Sequence, residues 1–109
     1  MKFKYLLGSL VVFFAAGAMA EPVWIDVRTL SEYKDGHIEG AQHVPYTDVE
    51  GYMEKLDIDK NSTIYLYGRS GRRSAIAVKA LDYLGYQNIS NLETIEKARM
   101  VKNQALAAE

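Results

Sequence analysis

Three arginines, Arg69, Arg72 and Arg73, fall within the run Gly68-Arg-Ser-Gly-Arg-Arg-Ser74. Guanidinium groups present forked donors that suit carboxylate, sulfate and phosphate oxygens. The run follows the apolar stretch Ile64–Tyr67 and opens a segment in which Ala77, Ala80, Leu81 and Leu84 recur at helical spacing before Gly85. Strand, tight loop and helix is the expected order. The first backbone N–H groups of such a helix lack intrahelical partners, and its dipole adds about half a positive charge. Gly68, Arg69, Ser70, Gly71, Arg72 and Arg73 are therefore the candidate anion-binding residues. A solvent-facing strand-to-helix connection with basic residues would carry the same pattern, and spacing alone does not separate the two. Nucleophilic chemistry is poorly supplied: Ser70 and Ser74 are hydroxyls with no histidine base near them, and the chain has no cysteine.

A second polar pair, Asp26 and Arg28, ends the apolar run Val23–Val27. Ligands of open parallel sheets bind beyond the carboxyl ends of the strands, which would put this pair and the arginine loop in one crevice. Asp26 is expected to order the loop in preference to acting in catalysis, as a supporting residue with Arg28. Arg28 and Glu32, four apart at the strand-to-helix junction, are expected to form an ion pair. His43 is expected at the surface.

The elements that must position these groups alternate. Strands are expected at Val23–Val27, Gln42–Val44, Thr63–Tyr67 and Asn88–Ser90. Helices are expected at Leu30–Lys34, Asp48–Leu56, Arg72–Leu84 and, with a poorly defined apolar face, Glu93–Ala107. Val49, Tyr52 and Met53 should face inward from the second helix, capped by Asp48 or Thr47. Alternation with short loops predicts an α/β fold, a parallel sheet of about four to five strands with helices on both faces.

The 109 residues divide into a leader and one domain. Lys2 and Lys4 precede an apolar run from Tyr5 that ends in Ala18-Met-Ala20, the pattern of a signal peptide over residues 1–20, cleaved near Ala20. Sixteen residues that include two glycines are short for a membrane span, which needs about 20. The domain is then 21–109, in the periplasm or outside the cell, meeting a membrane only through the leader. Its 11 basic and 14 acidic residues give a formal charge of −3, which does not suggest nucleic acid. With no cysteine, disulfides and thiolate metal sites are excluded, and no metal or cofactor is expected.

The motifs together resemble the rhodanese (sulfurtransferase) family. Gly68-Arg-Ser-Gly-Arg-Arg-Ser resembles its active-site loop, which reads Cys-Arg-Ser-Gly-Arg-Arg-Ser in many members. Trp24-Ile-Asp-Val-Arg28 resembles its first strand, and Glu32-Tyr33 with Gly36-His-Ile-Glu-Gly-Ala41 its next signature. His43-Val-Pro45 and Gly85-Tyr86 follow in the same order, so the likeness spans about residues 22–92. It is nearest to the short, exported, single-domain sulfurtransferases of the phage-shock type. The resemblance implies a structural role for His37 and a small oxyanion, thiosulfate or sulfate, as ligand. The six-residue loop Gly68–Arg73 has the sulfurtransferase length, one shorter than in the related dual-specificity phosphatases. Two departures stand out. Gly68 occupies the position of the nucleophilic cysteine, so no residue is assigned as catalytic. Asn91-Leu-Glu-Thr94 lacks the usual paired glycines after the last strand. The function implied is a non-catalytic anion-binding or interaction module, with a thiosulfate sulfurtransferase that has lost its nucleophile as the alternative.

Overall fold

The computed structural model describes residues 21–108. The expected signal peptide lies outside the described residues. Eight elements alternate: β1 (Val23–Asp26), α1 (Leu30–Asp35), β2 (Gln42–His43), α2 (Val49–Leu56), β3 (Thr63–Gly68), α3 (Gly71–Tyr83), β4 (Asn88–Thr94) and α4 (Ile95–Ala107). Each helix starts at a side chain that satisfies a free backbone donor: Thr29, Asp48, Ser70 and Thr94. Thr29 and Glu32 form a reciprocal capping box, which lets a helix of only six residues hold its first turn.

The four strands form one parallel sheet in the order β2-β1-β3-β4. The register sets Asp26 beside His43 on one side and beside Tyr67 on the other. Strand order reverses direction between β1 and β3, so their carboxyl ends flank the crevice typical of such sheets.

Side chains alternate across the sheet. Ile25, Val27, Ile64 and Leu66 are fully buried against α2 and α3, together with Val44, Ala77 and Leu81. Trp24 and Tyr67 face the other way, against Ile38, Ala41 and the Ile95 and Ala98 face of α4. Each large apolar side chain buried in this way contributes about 1.5–3 kcal/mol, so the first layer is the main source of stability. Among the described residues, no helix is long and apolar enough to cross a membrane.

The sheet has four strands, within the expected four to five. Several elements differ from expectation. β4 continues to Thr94, beyond Ser90, because a bulge opposite Leu66 and Tyr67 absorbs one residue and lets pairing resume. Glu93 there takes φ 71°, held by the Asn91 side chain accepting from its N–H at 2.9 Å. α4 consequently starts at Ile95, and its Ile95 and Ala98 are buried, a narrower stripe than a regular amphipathic helix shows. Ser70 caps α3, which therefore starts one residue early, at Gly71. Tyr52 is exposed and not inward, edge-on to His43 at 5.9 Å between ring centroids.

Candidate functional site

Asp26 ends β1 with no solvent exposure, and a buried carboxylate needs charged partners. Arg28 supplies them through its backbone N–H at 2.8 Å, Nε at 3.0 Å and Nη2 at 2.8 Å. Arg28 Nη2 also donates to the Gly36 carbonyl, and the guanidinium lies 5.7 Å from the Tyr67 ring centre. Burial alone would lower the Arg28 pKa, but hydrogen bonding and the charge of Asp26 outweigh it and hold the pKa above its ordinary value. Burial, reinforced by Asp26, likewise pushes the Tyr67 hydroxyl well up. Tyr67 stays neutral and accepts from the Ile38 N–H at 3.0 Å, tying the 36–41 segment to β3.

The expected Arg28–Glu32 ion pair is not formed. A two-residue turn lets Arg28 fold back on Asp26, and Glu32, on the first turn of α1, points to the arginine loop. Asp26 therefore orders the β1–α1 junction and not the loop. Glu32 is what reaches the loop, at 3.2 Å from Arg69 Nη1 and 2.9 Å from Arg73 Nη1. Its carboxylate also accepts from the Thr29 N–H at 2.9 Å and Thr29 Oγ at 3.0 Å. Burial raises the Glu32 pKa, yet the Thr29 hydrogen bonds and the two arginines prevail and bring it down to about 2.

The six loop residues have distinct environments. Gly68 is buried at the end of β3, outside the positive-φ region. A Cβ on it would meet Ser74 N at 3.2 Å, Val27 Cγ2 at 3.2 Å and Ser70 O at 3.3 Å. Ser70 accepts from the Arg73 N–H at 3.3 Å, and buried Ser74 donates to the Gly71 carbonyl at 3.0 Å. Both hydroxyls are thus engaged in starting α3. Arg73 is three-quarters covered and lies 5.1 Å from the Tyr46 ring centre, whereas the Arg69 side chain is 71% exposed. Arg72 is exposed and makes no side-chain hydrogen bond or ion pair among the described residues.

A cavity of about 300 Å³ opens beside the loop, lined by Arg28, Glu32, Asp35, Arg69, Ile95 and Glu96. It brings Arg28 and Arg69 together but does not include Gly68, Arg72 or Arg73. Glu32, Asp35, Glu96 and Tyr67 are not among the site residues that the sequence suggests. Glu32 was findable, because Thr29-x-x-Glu32 is a capping-box signature that fixes where the carboxylate points. The two histidines stack on either face of Tyr33, with ring centroids at 3.7 Å for His37 and 4.8 Å for His43. His37 Nδ1 lies 2.8 Å from the Tyr33 carbonyl and His43 Nε2 lies 2.8 Å from that of Arg28, so each nitrogen donates. His43 is half-buried in this stack and not at the surface.

Comparison with known proteins agrees with this arrangement. The family model for the rhodanese-like domain matches residues 14–94. The thiosulfate sulfurtransferase PspE of Escherichia coli is 32% identical over 100 residues, covering 92% of this chain and 96% of its own. The rhodanese-like domain of the Anabaena protein Alr3790 superposes with a TM-score of 0.67 at 29% identity, over 74% of this chain and 93% of that one. A structure described as rhodanese with anions, from E. coli, gives a TM-score of 0.63 at 32% identity, over 71% of this chain and 91% of its own. The chain belongs to the rhodanese-like domain family, in a form without any cysteine.

Proposed function

We propose that this protein is a non-catalytic rhodanese-like module that binds a small tetrahedral oxyanion, such as sulfate or thiosulfate, at Gly68–Arg73. The observation that carries the reading is the glycine at the nucleophile position of an otherwise intact loop, in a chain with no cysteine. Sulfur transfer through a persulfide needs a thiolate to take up the sulfane sulfur. The available hydroxyls, Ser70 and Ser74, are weaker nucleophiles and are committed to the start of α3. The loop's anion-binding groups, in contrast, are backbone and guanidinium. No acceptor for the N–H groups of Arg69, Ser70, Gly71 and Arg72 is found among the described residues outside regular secondary structure. They precede or open a helix of 13 residues whose dipole favours negative charge. The anions of the related E. coli rhodanese support the same chemistry. The basic start, apolar run and Ala18-Met-Ala20 of the leader support export, to the periplasm or outside the cell.

Titration with thiosulfate or sulfate, followed by backbone amide shifts, tests the reading. Movement at residues 68–74 with a Kd on the order of millimolar, about 4 kcal/mol, is expected, and salt should weaken it through screening of the arginines. Amides at 68–74 that do not move at tens of millimolar ligand would contradict it.

The second reading, a sulfurtransferase that lost its nucleophile at position 68, draws on one feature. Gly68 keeps a backbone conformation open to any residue, so the loop still has the shape into which a cysteine side chain would project.

A further inference from the structure

Resting on the anion reading above, we propose that Glu32 is a resident competitor for the loop arginines, so that the site admits only a ligand charged enough to displace a carboxylate: a dianionic oxyanion in preference to a monovalent one.

Most of the positive charge at the loop is already paired. Arg28 is locked to Asp26 and to the Gly36 carbonyl. Arg69 and Arg73 each hold one oxygen of the same carboxylate, Glu32 Oε2 and Oε1. The cavity walls then carry two guanidiniums, both paired, against the three carboxylates Glu32, Asp35 and Glu96. The wall beside the loop therefore carries one excess negative charge, and within the loop only Arg72 is unpaired among the described residues.

Glu32 is itself fixed from behind. Thr29 donates to it from both backbone and side chain, so the carboxylate does not swing away to make room. Arg73 is held between Glu32 and the Tyr46 ring and is mostly covered. Arg69 is the more accessible partner: it is 71% exposed and its bond to Glu32, at 3.2 Å, is the longer of the two. Binding proceeds by exchange, in which Arg69 leaves Glu32 Oε2 and turns to the ligand while Arg73 stays. A monovalent anion offers Arg69 no more charge than the carboxylate it already holds. A dianion does, and it also gains from the loop amides.

Glu32→Gln separates this role from the structural one. Glutamine at the third helical position retains the capping box, since its amide oxygen accepts from Thr29 as the carboxylate does. The charge is removed, and with the amide oxygen kept on Thr29 and Arg73, the atom facing Arg69 becomes an NH2 donor, which releases Arg69. Sulfate titrations of wild type and E32Q, followed by loop amide shifts, should show about tenfold tighter binding in the variant. Nitrate, which should bind too weakly to detect in the wild type, should gain in E32Q as well. In the wild type, which needs no variant to fold, the Arg69 guanidinium NMR signals should move in step with the loop amides during sulfate titration. Equal or weaker sulfate binding by E32Q, or loop amides that shift while Arg69 does not, would overturn the competition and make Glu32 a support that holds the arginines for the ligand. Sulfate binding in neither protein would overturn the anion reading itself, and the competition with it.

Discussion

On the proposed reading, Gly68 and Glu32 decide between them what the loop can do. At Gly68 the missing atom is a sulfur, yet the backbone around it has the conformation of a residue with a side chain. Gly68→Cys should therefore fold, at a cost of about 1 kcal/mol, because the Cβ must gain a few tenths of an ångström from Val27, Ser70 and Ser74. The Cβ would lie beside the first turn of α3, whose dipole should favour thiolate over thiol. The new thiol is expected to titrate below the reference of about 8.5 and to support partial sulfurtransfer. Alkylation rate against pH, read beside thiocyanate formation, checks this. An ordinary thiol pKa and no turnover in a folded variant would show that the scaffold has drifted along with the nucleophile. Glu32 makes a separate, pH-dependent contribution. Its pKa is lower in the folded state, about 2, than its ordinary 4.5, so folding favours the ionised form. The stability it provides is complete above about pH 4.5 and is lost as pH falls toward 2. Urea unfolding of wild type and E32Q over that range should show their difference shrinking in acid; a constant difference would mean that the carboxylate charge contributes nothing.

Among the elements, α1 and β4 carry the departures from expectation. α1 buries no residue, and its short first turn serves to aim Glu32 at a loop 37 to 41 residues away in sequence. β4 holds a strained residue. Glu93 sits at φ 71° in a stretch where the family resemblance implies paired glycines, a conformation that disfavours any residue with a Cβ. Glu93→Gly should stabilise the domain by about 1 kcal/mol, after loss of the exposed Lys97 pair is allowed for. A thermal midpoint higher by about 4 °C is the expected reading, and a lower midpoint would show that Lys97 or the Glu93 stem matters more than backbone strain. The sequence made the regular parts of these elements legible. Ile64–Tyr67 reads as a buried strand and the Ala77, Leu81 face as a helix because apolar periodicity is local. The extension of β4 depends on a bulge that no period records, and the true partner of Arg28 depends on a side chain folding back over two residues. The Glu32 contacts to Arg69 and Arg73 are long-range and needed the assembled sheet to appear.

For the molecule as a whole, the strand order 2-1-3-4 brings the β1 and β3 ends to one crevice, as the order of motifs in the chain implied. That crevice holds the paired charges Asp26–Arg28 and Glu32 with Arg69 and Arg73, and it lacks a sulfur. The family scaffold is thus present, with these arginines paired internally and without a cysteine thiol. The most direct measurement of this account is thiocyanate production from thiosulfate and cyanide by the purified wild-type protein. Background rates are predicted at every thiosulfate concentration. Turnover at a rate comparable to that of a cysteine-bearing relative would contradict the account and require a nucleophile among residues that the structure places in hydrogen bonds of their own.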